Sequence, residues 1–103
     1  MEITEKIQKE EIILEITGRI DTNTSRFLQE KLLNTFQKSR NVRMDLRNVD
    51  YVSSAGLRVF LIGAKTAQAN KGTLKFSGVQ EQVMEVLQIT GFDKVLDLWG
   101  DIR

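Results

Sequence analysis

The 103-residue sequence contains no cysteine, no histidine and no proline. Without thiols there can be no disulfide and no cysteine nucleophile, and with imidazole missing too, the usual zinc ligands are gone; no metal site is expected. The missing histidine also removes the commonest general base. An excess of either charge is absent as well, with 15 basic against 14 acidic side chains, so no polyanion-binding surface and no nucleic-acid partner is expected. No apolar run approaches membrane-spanning length, and the opening "MEITEKIQKEE" is acidic and alternating instead of basic and then apolar. No targeting segment and no direct membrane insertion are expected, and a cytoplasmic location follows as the default. With no proline, repeat or low-complexity linker to divide the chain, residues 1–103 read as one domain.

What is present suits a globular fold. Hydrophobic residues make 41% and charged residues 28% of the chain. A chain this long buries about 65% of its unfolded surface and needs no staples. Ile3, Glu5 and Ile7 alternate with Thr4, Lys6 and Gln8, and Ile12, Leu14 and Ile16 resume the period of two after "KEE", predicting an antiparallel hairpin. "GRIDTNTS" breaks that pattern. Thr24 or Ser25 is available to cap a helix whose core face is Leu28, Leu32 and Phe36, supported by Leu33. Val42, Met44 and Leu46 predict a third strand. Leu57, Phe60, Leu61 and Ala64 at i, i+3, i+4, i+7 predict a second helix stopped by "NKG" at Gly72. Leu74 and Phe76 mark a fourth strand; Val83, Val86 and Leu87 mark a third helix ending at Gly91, and "KVLDLW" a last strand. This order requires parallel, right-handed crossovers joined to one antiparallel hairpin. The expected fold is α/β, a single domain with a mixed four- to five-stranded sheet, helices mainly packed on one face and the other face at least partly wet.

"NVDYVSSAGLRVFL" carries two serines into the second helix. A serine there can be an N-cap, its oxygen accepting from a free backbone N–H, and on that reading Ser54→Ala costs about 1 kcal/mol. The same junction lies at the C-terminal edge of a parallel strand, where open α/β sheets place their sites, and a helix start tolerates phosphate charge. "SSAG" resembles a nucleophile turn only superficially: Val52 stands where the pattern needs glycine, and only a lysine such as Lys65 could serve as base. The helix also carries a second apolar face, Ala55, Val59 and Ile62 at i, i+4, i+7. Such a face means either deep burial or a partner, with Arg58 at its rim.

"GRID", "VRMDLRNVDYVSSAGLRVFL" and "LQITGFDKVLDLW" together resemble the STAS domain of bacterial anti-sigma factor antagonists over nearly the whole chain, the "DYVSSAGLRVFL" block being the most specific part. The resemblance implies a non-enzymatic STAS domain over residues 1–103 that binds an anti-sigma factor and so frees the sigma factor. It implies that phosphorylation of a serine at the start of the second helix cancels the binding, with the anti-sigma factor serving as serine kinase and a serine phosphatase resetting the switch. Ser54 matches the acceptor. Ser53 is the second candidate; it stands where many members have aspartate. Asp21, Thr22, Asn23 and Thr24 match the loop beside the acceptor that helps bind the partner, although Asp21 reads equally well as a turn or capping residue. With Ser53, Ala55, Gly56, Arg58, Val59 and Ile62 they form the expected partner surface. No cofactor is implied, since the kinase brings ATP. The other use of such a module is as an accessory subunit of a membrane transporter ATPase for lipids.

Overall fold

The computed structural model describes residues 1–98. Strand β1 (Glu2–Ile7) and strand β2 (Ile12–Ile20) form the hairpin, followed by helix α1 (Thr22–Phe36), strand β3 (Asn41–Val52), helix α2 (Ser54–Ala69), strand β4 (Thr73–Ser77), helix α3 (Glu81–Thr90), a short helical turn at Phe92–Lys94 and strand β5 (Asp97–Leu98). The five strands lie in chain order, β1 antiparallel to β2 and every later pair parallel. Because each parallel crossover moves one strand along the sheet with the same hand, all three helices fall on one face. This is the mixed sheet expected. Trp99, placed by the sequence in the last strand, lies outside the described residues.

The period of two explains the layers. Leu14 and Ile16 of β2, Met44 and Leu46 of β3 and Phe76 of β4 point at the helices and are fully buried, where they meet Leu28 and Leu32 of α1 and Phe60 of α2. The intervening residues form the open face. There Lys6 pairs with Glu15 at 3.1 Å, Arg43 with Glu11 at 3.0 Å and Arg47 with Asp45 at 3.6 Å. Ile13 lies beneath these charges and is only 7% exposed, although it belongs to no helix-side cluster. No helix among the described residues is long and apolar enough to cross a membrane.

Several boundaries differ from the sequence reading, for tertiary reasons. Strand β2 does not stop at "GRID" but continues through Gly18, Arg19 and Ile20, because register shifts against β3 absorb the break in alternation. Strand β3 likewise runs on to Val52. Ile7, in phase with Ile3, is 72% exposed because it ends an edge strand beyond the reach of α1. Helix α2 ends at Ala69, and the left-handed residue that turns the chain is Lys71, with φ of 59°, not Gly72. Gly91 does close α3, at φ 81°.

Candidate functional site at the ends of β2 and β3

Strands β2 and β3 are parallel neighbours, with Ile20 opposite Val52, so both leave the sheet at the same edge. The Ser53 N–H donates to the Ile20 carbonyl at 2.8 Å and carries the pairing past the last strand residue. Gly56 allows the two chains to touch. A Cβ at that position would stand 2.7 Å from Ile20 Cγ2 and 2.8 Å from Val52 Cγ1, closer than real side-chain contacts. Arg19 adds a third tie, its guanidinium carbon 4.1 Å from the centre of the Tyr51 ring. The N-termini of α1 and α2 are thereby brought side by side.

Helix α1 is capped by Asp21, not by Thr24 or Ser25. The Asp21 carboxylate accepts from the N–H groups of Asn23 at 3.0 Å and Thr24 at 2.9 Å, while the Asp21 N–H donates to Thr24 Oγ1 at 2.9 Å. The one proton of the Thr24 hydroxyl is shared between the Arg19 carbonyl at 2.9 Å and the Asp21 carboxylate at 3.1 Å. This reciprocal box starts the helix one turn earlier than the Thr24 reading allows. Ser25 is buried and its hydroxyl donates to the Thr22 carbonyl. The Thr24 N–H, helped by the Thr24 hydroxyl, the Asn23 N–H and the Arg19 charge, outweighs desolvation and holds the Asp21 carboxyl below its ordinary range.

The two serines have separate roles. Ser53 is the N-cap of α2, half-buried, with its Oγ accepting from the Gly56 N–H at 3.2 Å. Ser54 is the first helical residue, and its exposed hydroxyl has no hydrogen-bond partner among the described residues. The 1 kcal/mol assigned above to Ser54→Ala therefore belongs to Ser53. Lys65 lies about 16 Å farther along α2 at 1.5 Å rise per residue, beyond reach of either hydroxyl. Among the described residues no basic side chain is hydrogen-bonded to either hydroxyl.

Thr22 and Asn23 are exposed in the first turn of α1, and Arg58 is exposed one turn beyond Ser54. Ala55 and Ile62 are half-buried. Val59 and Gly56 correct the expected surface: Val59, at 3% exposure, packs in the core where α1 closes over the second apolar face of α2, and Gly56 is buried against Ile20 and Val52. The sequence reading missed Arg26, which lines a groove between the helices together with Thr22, Ala55 and Arg58. Its signal was the spacing of four from Thr22, visible only once Asp21 is known to start α1.

The comparisons with known proteins agree with this architecture. The STAS domain family model matches residues 2–103. The anti-sigma-B factor antagonist of Bacillus subtilis (strain 168) is 30% identical over 93 residues, covering 90% of this chain and 85% of that protein. An anti-sigma factor antagonist from Mycobacterium paratuberculosis has the same fold, with a TM-score of 0.85 at 17% identity over 95% of this chain and 84% of that one. So does the Bacillus cell fate determinant SpoIIAA in its phosphorylated form, with a TM-score of 0.73 at 12% identity over 96% of this chain and 92% of that one. With sheet order, helix placement and the family match over residues 2–103 all in agreement, the chain belongs to the STAS domain family.

Proposed function

We propose that this chain is an anti-sigma factor antagonist that acts as a binding switch: the unphosphorylated protein captures an anti-sigma factor with serine kinase activity, and phosphate on Ser54 ends the capture. The observation that carries this reading is the exposed hydroxyl of Ser54, without a hydrogen-bond partner among the described residues, beside the capped Asp21–Thr24 turn. Support also comes from the relative in Bacillus subtilis, named an anti-sigma-B factor antagonist. The kinase supplies ATP and a separate serine phosphatase resets the switch, so the chain itself needs no cofactor and performs no catalysis.

The magnitudes favour repulsion as the switch. A phosphate brought within 4 Å of a partner carboxylate faces about 4 kcal/mol per pair of unit charges at an effective dielectric near 20. That is roughly a thousandfold in affinity. Any benefit of the phosphate to the helix start is smaller, about 1 kcal/mol. The test begins with a pull-down to identify the partner, followed by incubation with that kinase and ATP and tandem mass spectrometry of the tryptic peptide covering residues 48–58. Ser54→Ala is expected to bind and to resist phosphorylation, Ser54→Asp to fold but bind poorly, and Ser53→Ala to remain a substrate. Phosphate found on Ser53, or none found while binding persists, would defeat the assignment.

A further inference from the structure

Two exposed arginines on the helices that start at the site, Arg26 and Arg58, are not engaged in the ion pairs of the described residues. Arg58 follows Ser54 by four residues on α2 and both are exposed, a spacing that brings their Cβ atoms roughly 5–6 Å apart on one helix face. Arg26 comes from α1 to the groove that Arg58 lines, together with Thr22 and with Ala55, the residue next to Ser54. Among the described residues neither arginine makes an ion pair; the pairs that do form engage Lys6, Lys31, Lys38, Arg43 and Arg47. Nearby carboxylates do not neutralise them. Asp21 is committed to the α1 cap; Glu30, four residues after Arg26 on α1, lines the groove, and Asp50 is exposed two residues before the site end of β3, yet neither forms an ion pair with either arginine.

We propose that a phosphate on Ser54 is gripped by Arg58 and Arg26, which close it into a bridge across the mouth of the α1–α2 groove. The inference rests on the reading of Ser54 as the phosphorylated residue. A guanidinium fork matches two phosphate oxygens at once, which an exposed lysine would not do. Ser53 satisfies only the Gly56 N–H, so the earlier amides of the α2 first turn add their partial positive charge on the same side. The bridge would cover Thr22 and Ala55, both in the expected partner surface, and would withdraw two cations from any carboxylate on that partner. Modification then covers the surface and cancels its positive charge.

The test needs neither kinase nor partner. The chain is made with phosphoserine inserted at position 54 during translation, and the phosphate is titrated by phosphorus NMR. Its second ionisation, ordinarily near pH ~6, is expected roughly half a unit lower in the parent, partly restored in R58Q and in R26Q, and restored further in the double variant. R58K should keep part of the shift, since it keeps the charge without the fork. The Nε–H resonances of both arginines are expected to move between the serine and phosphoserine proteins. Coincident titration curves for parent and double variant, or unmoved arginine resonances, would overturn the bridge. Capture of the anti-sigma factor by the unmodified chain is measured separately, so either conclusion can fail while the other stands.

Discussion

Ser53 and Ser54 are the same residue type at adjacent positions, and only geometry separates them. Ser53→Ala removes the Gly56 cap and is expected to lower the unfolding free energy by about 1 kcal/mol, read from urea denaturation. Ser54→Ala removes an exposed hydroxyl with no partner among the described residues and is expected to stay within about 0.5 kcal/mol of the parent. The reverse order would mean that the cap is misplaced. Gly56→Ala should do more, because its methyl would overlap Ile20 and Val52; overpacking of this kind costs about 1–3 kcal/mol. Faster hydrogen exchange of the Ser53 amide, which is bonded to the Ile20 carbonyl, would show that the two chains have been pushed apart.

Helix α1 is the element on which both edges of the site depend, and it is tied down at each end. At its start stands the Asp21 box, and along its flank Glu5 of β1 accepts from Lys31 and Lys38, each at 2.6 Å. The Lys31 bond and then the Lys38 bond hold the Glu5 carboxyl below its ordinary range in spite of desolvation. Carboxylates with depressed folded-state values stabilise the fold at any pH above their unfolded values, near ~3.9 for aspartate and ~4.3 for glutamate. That stability is lost as pH falls through the lower folded-state values. Urea midpoints are therefore expected to decline below about pH 4, and the gap between parent and Glu5→Gln should narrow over the same range. A gap that stays constant down to about pH 2 would remove Glu5 from this role. On α2, burial separates two positions of one stripe: Val59→Glu is expected to unfold the protein, whereas Ile62→Glu, at a half-buried position, should be milder.

The molecule as a whole relies on one core between a sheet and one layer of helices. Phe60 and Phe76 meet at its centre with ring centroids 4.9 Å apart and planes tilted by 55°. Phe60→Ala is expected to cost about 3–5 kcal/mol, a large share of the 5–15 kcal/mol typical of a domain. A correspondingly lower Tm by calorimetry, with partner capture lost in parallel on warming, would show that the site depends on the core although Phe60 is remote from Ser54. A Tm within a few degrees of the parent would show that the core relaxes around the cavity. The open sheet face should matter much less. Arg47 is mostly exposed in its pair with Asp45, and such pairs contribute about 0–1 kcal/mol, so Arg47→Ala should barely move the denaturation midpoint.

The sequence by itself determined the elements and their class. Alternation in "EIILEI" and "VRMDL", the helical spacing of Leu28, Leu32 and Phe36, and the stop at Gly91 are local signals set by backbone period and glycine chemistry, and each appears where it was read. The "DYVSSAGLRVFL" block was equally legible, because a strand, a cap and a helix start leave their marks within a few residues. What only the tertiary structure decided was how distant pieces meet. The register of β2 against β3, which periodicity leaves free beyond its parity, sets Ile20 against Val52 and Gly56. From that contact follow the side-by-side placing of the α1 and α2 starts, the burial of Val59 under α1 and the meeting of Arg26 and Arg58 at one groove. Periodicity carries no signal for these, because each joins residues about thirty positions apart, whereas the Asp21 and Ser53 caps are local and only the choice among neighbouring cap candidates was left open.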